Sequence, residues 1–421
     1  MSALTHQAIE SIWRMESAKI IARLTRIVRD VGVAEELAQD SLVAALEQWP
    51  VSGIPDNPAA WLTSAAKHRA IDLWRRNKLL ERKHEELQRD FAQQELAMPD
   101  FASAIDNHVG DDLLRLIFIS CHPVLPSEGR VALTLRLLGG LTTAEIARAF
   151  LAQETTIAQR IVRAKRTLSE ARVPFELPPK HELGSRLASV LEVIYLIFNE
   201  GYSATAGDDW MRPALCDEAL RLGRVLAGLA PDESEVHGLV ALMEIQASRV
   251  AARTGPSGEP ILLLDQNRAR WDHLLIRRGL AALERADALA ASSGPYALQA
   301  AIAACHARAL DVASTDWQRI AALYEQLGKL TPSPVIELNR AVAVGMAFGP
   351  AAGLELIERL SLNPALQSYH LLPSVRADLL FKLGRFAEAR AEFERAALLT
   401  RNARERELLL NRARASAQRS V

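Results

Sequence analysis

The chain has 421 residues, 49% hydrophobic and 24% charged, with a formal net charge of −1; that length exceeds one hydrophobic core and points to several domains. Ala, Leu, Arg and Glu crowd it while β-branched alternation is scarce, which predicts an all-α fold, and the near-neutral balance means that any nucleic-acid-binding surface must be local. Cys121, Cys216 and Cys305 have no CxxC spacing, the N-terminus lacks a signal peptide's apolar core, and no run approaches the roughly 20 apolar residues of a membrane span. A soluble, cytoplasmic protein with reduced thiols and no membrane partner is expected.

A first helical block is predicted from about Ala8 to Lys78, broken near Asp30 to Gly32 and again over Pro50 to Pro58, where three prolines and a glycine preclude continuous helix. From Leu79 to Gly110 the sequence turns polar and then acidic, which reads as a helical tail followed by a linker. A second helical block covers Asp111 to Arg172, punctuated by Pro123 to Pro126 and by the pair Gly139 and Gly140. The prolines between Pro174 and Pro179 suggest a hinge. Cys121-His122 reads as core or turn, because no second ligand pair is suitably spaced for a metal.

Between Arg148 and Arg172 stand six Lys or Arg against two acids. Thr142 and Glu145 form a capping box that opens a short helix, Thr143 to Phe150. The next helix carries Thr156, Gln159, Arg160, Arg163 and Arg166 on one face at three- and four-residue steps, with Lys165 beside them, and Ile157, Ile161 and Ala164 on another. This is a helix-turn-helix with a basic reading face. Guanidinium groups can bond guanine edges or phosphates, and Gln159 can read adenine. Such a motif alone does not separate a conventional transcription regulator from a sigma factor.

The first block carries the distinction. Asp30-Val-Gly-Val-Ala-Glu-Glu-Leu-Ala-Gln-Asp-Ser-Leu-Val-Ala-Ala-Leu46 resembles region 2 of extracytoplasmic-function (ECF) RNA polymerase sigma factors. Asn57-Pro-Ala-Ala-Trp-Leu to Arg75-Arg76 is similar to that family's promoter-melting segment. The resemblance implies a protein that binds core RNA polymerase, through its β′ coiled coil and β flap, and directs it to promoter DNA. Glu35, Glu36, Gln39 and Asp40 would make the polar contacts with polymerase, while Leu37, Leu42 and Leu46 face the domain core. Asp56 and Asn57, in the loop from Ile54 to Asn57, together with Lys67, Arg69, Trp74, Arg75 and Arg76, would hold the opened minus-10 element. Trp61 reads as a core residue, Trp74 equally as core or DNA wedge, and Asp72 as an intrahelical partner of Arg69 or Arg76. Thr156, Gln159, Arg160, Arg163, Lys165 and Arg166 would then serve the minus-35 element. The sequence departs from the family at the turn, where Leu151 occupies the usual glycine position.

Beyond the second block, Leu- and Ala-rich helices follow one another, with a loop at Thr254 to Pro260. Lys382 to Leu398 resembles half of a tetratricopeptide repeat, with Gly384 at the turn, Ala389 and Ala396 at helix contacts and Phe393 as packing aromatic; Asn339 to Leu360 is a fainter copy. Phe198 to Tyr202 and Leu264 to Asp272 resemble the extension of the ECF group numbered 42, which implies regulation within the polypeptide. The expected organisation is region 2 over 1–78, a linker over 79–110, region 4 over 111–173, a helical extension over 180–280 and a tetratricopeptide-like array over 281–421. No HExxH, phosphate loop or nucleophile with a base is present, so a non-enzyme without cofactor or metal is expected, the polar residues Asn199, Glu200, Asp265 and Asp272 being read as caps and turns. A protein partner for the extension, a regulator acting without polymerase, and a peptide-binding scaffold are the other functions the sequence allows.

Overall fold

The computed structural model describes residues 2–87, 109–150, 152–204, 210–256 and 258–419; inside its helices the side chains of 2–4, 7, 10, 14, 73–87, 109–110 and 148 lie outside that description. Among the described residues the protein is all α, with eighteen α-helices, a few single 3-10 turns and one isolated antiparallel bridge between Thr254 and Pro260. The chain divides into two compact units, 1–194 and 195–421.

Unit 1 contains α1 (Ser2–Val28), α2 (Val31–Ser52), α3 (Pro58–Leu87), α4 (Val109–Ser120), α5 (Ser127–Leu137), α6 (Thr143–Ala149), α7 (Glu154–Glu170) and the first part of α8 (Lys180–Tyr202). α1 stops where Arg29 takes φ +55°, and Asp30 caps α2 by accepting from the Val33 amide at 2.9 Å. α1 packs on α2, α3 and α4, burying Ile20, Ile21 and Leu24 with Leu37, Ala38, Leu62 and Ala66. A fully buried aliphatic side chain contributes about 1.5–3 kcal/mol, so this stripe is a principal source of the bundle's stability.

Two sequence expectations change in detail. The helix runs through Pro50 to Ser52, because a proline in the last turn forfeits one ladder bond without a second turn to break. Gly53 then ends it at φ +86°, its amide bonding the Trp49 carbonyl at 3.0 Å, and the loop shrinks to 53–57. The prolines from Pro174 to Pro179 do precede a new helix, yet the start of α8 belongs to unit 1. Arg186 donates to the Phe118 carbonyl at 3.1 Å, Ser189 to the Cys121 carbonyl at 2.7 Å, and Leu187, Val190, Leu191 and Ile194 are buried. Cys121 lies in this core, where burial pushes its thiol up to about 11, and His122 forms the following turn, its Nδ1 accepting from the Val124 amide.

Unit 2 continues with α9 (Pro213–Leu229), α10 (Ser234–Ala247), α11 (His273–Leu289), α12 (Pro295–Arg308), α13 (Trp317–Leu330), α14 (Pro334–Phe348), α15 (Pro350–Leu360), α16 (Leu371–Lys382), α17 (Phe386–Leu399) and α18 (Ala403–Arg419). Successive helices pack as hairpins from α9 onward. Prolines open α9, α12, α14 and α15 at positions whose amide has no helical partner. Gly384, at φ +76°, makes the α16–α17 turn, and Ala389, Phe393 and Ala396 are fully buried, as the repeat resemblance implies. The fainter copy is the α14–α15 hairpin, turning at Gly349. There a Cβ on Gly353 would stand 2.8 Å from the Ala341 carbonyl and 2.9 Å from the Gly345 Cα, so only glycine permits that approach. Asp272 caps α11, and Glu200 pairs with Arg212, which accounts for two of the polar residues in the extension.

Candidate nucleic-acid interface

The buried stripe Ile157, Ile161, Ala164 and Leu168 seats α7 on its unit, with α5 and α6 as its packing partners. Thr142 and Glu145 close the capping box ahead of α6: the Thr142 amide donates to the Glu145 carboxylate at 2.8 Å and the Glu145 amide to the Thr142 hydroxyl at 3.1 Å. Capping of this kind contributes about 1 kcal/mol and fixes where the turn begins. Leu151, in that turn, lies outside the described residues.

Of the six residues expected on the reading face, Gln159, Arg163 and Arg166 are exposed and Thr156 half-buried. Arg166 pairs with Glu170 at 3.3 Å, both largely in water, and Arg160 with Glu128 at 2.8 Å. Exposed pairs of this kind are worth about 0–1 kcal/mol, so a phosphate can displace them. Lys165 differs. It sits at the edge of the buried stripe, four residues past Ile161, and its ammonium is ion-paired with Glu35 of α2.

That pair places Glu35, expected among the polar contacts to polymerase, in the interior of unit 1. Glu35 is 2% exposed. Its carboxylate receives the Arg136 Nε at 2.6 Å, the Lys165 ammonium and the Gln39 side-chain amide. The reason lies in unit 1's packing: Arg136, between the buried Leu135 and Leu137, brings a cation that demands an anion, and Glu35 supplies it. Leu42 and Leu46 differ from expectation as well: with Ile9 and Trp13 they line a cavity of about 330 Å³ beside this cluster, half-buried, while Leu37 is in the core as expected. Glu36 and Asp40 remain exposed and Gln39 half-buried.

Asp40 joins the two halves of the expected region 2 surface, pairing with Arg69 of α3 at 3.0 Å. Asn57 caps α3, accepting from the Ala60 amide at 3.1 Å, and Asp56 and Ile54 are exposed beside it. Lys67 is half-buried, and Trp61 packs edge-on against the buried Trp49 with ring centroids 5.3 Å apart. Trp74, Arg75 and Arg76 have side chains outside the described residues. Sequence reasoning missed Arg136 and Glu128. A lone arginine inside Leu133-Thr-Leu-Arg-Leu-Leu138 is the one signal that could have found the first.

Residues 12–79 match the family described as Sigma-70 region 2, residues 115–168 that described as Sigma-70, region 4, and residues 186–287 a family of unknown function, DUF6596. An uncharacterized protein of Rhizobium meliloti (strain 1021) is 43% identical over 383 residues, covering 91% of this chain and 89% of that one. A probable ECF RNA polymerase sigma factor, SigI, of Mycobacterium tuberculosis is 26% identical over 188 residues, 43% of this chain and 61% of the relative. With region 2 on the α1–α3 bundle, region 4 on the capped helix-turn-helix and a helical array behind them, the chain belongs to the sigma-70 family, as an ECF sigma factor with a C-terminal extension.

Proposed function

We propose that this sigma factor engages the β′ coiled coil of core RNA polymerase through Glu36, Gln39 and Asp40, with Glu35 joining them once freed from its cations, and the β flap through region 4. Loop 53–57 and the cations of α3 would hold the opened minus-10 element, and α7 would read the minus-35 element. The observation that carries promoter reading is the disposition of α7, whose Gln159, Arg163 and Arg166 face water opposite a buried apolar stripe. A bidentate arginine–guanine contact discriminates by about 1–3 kcal/mol, and the remaining cations supply sequence-independent phosphate affinity.

The ion pairs of Glu35 with Arg136 and Lys165 tie the polymerase-binding helix to the minus-35 helix. The free chain therefore holds regions 2 and 4 in a closed arrangement, and polymerase and promoter must separate them. Regulation is assigned to the extension, in keeping with the resemblance to group 42, and a protein partner for it belongs to the same reading. Among the described residues no helix is long and apolar enough to cross a membrane, and the place of action is with polymerase in the cytoplasm.

The test is transcription in vitro from genomic promoter fragments, using purified full chain and core polymerase. Promoter-specific initiation is expected. The reading is overturned if neither the full chain nor a chain ended after Ile194 starts transcription at any promoter under conditions where a reference sigma factor works.

A further inference from the structure

Unit 2 holds a cavity of about 400 Å³ between α8, α10, α12, α13 and the start of α14. Its wall mixes aliphatic and neutral polar side chains with a set of aromatic ones, Tyr195, Phe198 and Tyr202 from α8, His306 from α12 and Tyr324 from α13. Arg249, just past α10, is the permanently charged side chain on that wall among the described residues. It lies 5.7 Å from the Tyr202 ring and 5.8 Å from the Trp271 ring, and donates to the Tyr202 hydroxyl and the Gln246 side-chain carbonyl.

Two more arginines stand behind it. Arg253 is 3.5 Å from the Tyr202 ring centroid and 5.5 Å from that of Trp210; Arg268 is 5.0 Å from that of Trp271. Arg268 is held in place by the His306 and Ala309 carbonyls, each at 2.6 Å. Among the described residues none of the three is ion-paired with a carboxylate; the exposed Asp311 acts on Arg268 only at longer range. Arg253 is 7% exposed, and its Nη1 has no hydrogen-bond partner. The Nε of Arg249 and the indole nitrogens of Trp210 and Trp271 are buried without partners as well.

Aromatic faces offset part of the cost of such charge, yet buried cations without an anion and donors without an acceptor are both unfavourable and uncommon. Burial, with Arg249 and Arg268 nearby, also holds His306 at a pKa of about 4, so its imidazole is neutral at pH 7 and Arg249 remains the charged group on the wall among the described residues. On the cavity wall, among the described residues, the surplus is the charge and the unpartnered Nε of Arg249, set among aromatic rings and neutral polar side chains such as Asn199, Gln299 and Asn339. A ligand with an acceptor group at one end and a flat apolar body at the other would match Arg249 and the aromatic rings of the wall, and the volume is that of a small-molecule site.

We propose that this cavity binds a small organic molecule bearing a carboxylate or comparable oxyanion on a flat apolar body, the oxyanion on Arg249 and the body among Tyr195, Phe198 and Tyr324. The proposal stands on unit 2 alone and does not depend on the promoter function or on regulation by the extension. It is tested on the full chain by saturation-transfer NMR with benzoate and phenylacetate, their neutral amides, and acetate as the bare anion. The aromatic carboxylates should bind at least about tenfold more tightly than the amides or acetate, the gain of one charge-assisted contact. Arg249→Gln should remove that preference, and Ala303→Leu, which adds bulk to the lining without touching the charge, should remove binding. Should Arg249→Gln fail to fold, Ala303→Leu still tests the place of binding and the neutral amides still test the charge preference. Absence of carboxylate binding, equal binding of the amides, or full carboxylate binding by either folded variant overturns the proposal.

Discussion

Arg136→Met should open the arrangement of regions 2 and 4. The Arg136 guanidinium meets the carboxylate of Glu35 at 2.6 Å, with Glu35 almost wholly buried and the arginine side chain 21% exposed. Removing one partner of a fully buried pair costs about 3–5 kcal/mol. Here Lys165 still faces the carboxylate and the arginine is partly hydrated, so about 2 kcal/mol is the better figure, a shift of about 30-fold from closed to open. Methionine keeps the apolar stem between Leu135 and Leu137, which limits the loss of packing. Spin labels on cysteines introduced at the exposed Ser64 of α3 and Ser169 of α7 report the separation by pulsed electron resonance, the three native cysteines being buried. A single short distance is expected in the free wild-type chain, and a longer, broader distribution in Arg136→Met and in Lys165→Met. Polymerase should bind Arg136→Met more tightly, because less free energy is spent on opening. Identical distance distributions in all three chains would refute the latch.

Ending the chain after Pro178 should destabilise residues 1–173, whereas ending it after Ile194 should not, because Leu187, Val190, Leu191 and the Arg186 and Ser189 hydrogen bonds complete that core. A difference of at least about 3 kcal/mol is expected by urea unfolding; equal midpoints would show that α8 adds nothing. His306 makes the stability of unit 2 fall with acid. Its folded pKa, pushed down from 6.5 to about 4 by burial and the nearby Arg249 and Arg268, means that the unfolded chain takes up the proton first, so stability is complete above pH ~6.5 and declines toward pH ~4, by about 3 kcal/mol. His306→Gln should flatten that part of the profile, and an unchanged slope would contradict the assignment. Promoter binding by the holoenzyme should weaken steeply with salt, and Arg163→Gln should lower the logarithmic slope by about 1; a slope the same as wild type would remove Arg163 from the phosphate contacts.

Features that depend on neighbours within a turn or two were legible in the sequence. Thr142 and Glu145 announced the start of α6, the spacing of Ile157, Ile161 and Ala164 the buried side of α7, and Gly384 with Ala389, Phe393 and Ala396 the α16–α17 hairpin. Each follows from the 3.6-residue period or from a backbone requirement local to the residue. The resemblance of Asp30 to Leu46 and Asn57 to Arg76 to region 2 likewise needed no coordinates.

What the sequence left open are the partners of charged side chains across the fold. Glu35 looks like a solvated acid on α2 until Arg136, 101 residues further on, and Lys165 are brought against it. The three arginines around Tyr202 and Trp271 are spread from Arg249 to Arg268 and become a cluster only when α8, α10 and the loop before α11 converge. Local propensity is short-ranged and survives in any fold that keeps the helix, whereas a charge acquires its meaning from the desolvation and the counter-charge that long-range packing imposes. The sequence by itself therefore determined most of the helices, the capping box at Thr142 and the family, and the tertiary structure alone decided that Glu35 is buried against Arg136 and Lys165 and that Arg249 meets aromatic rings in a cavity of the extension.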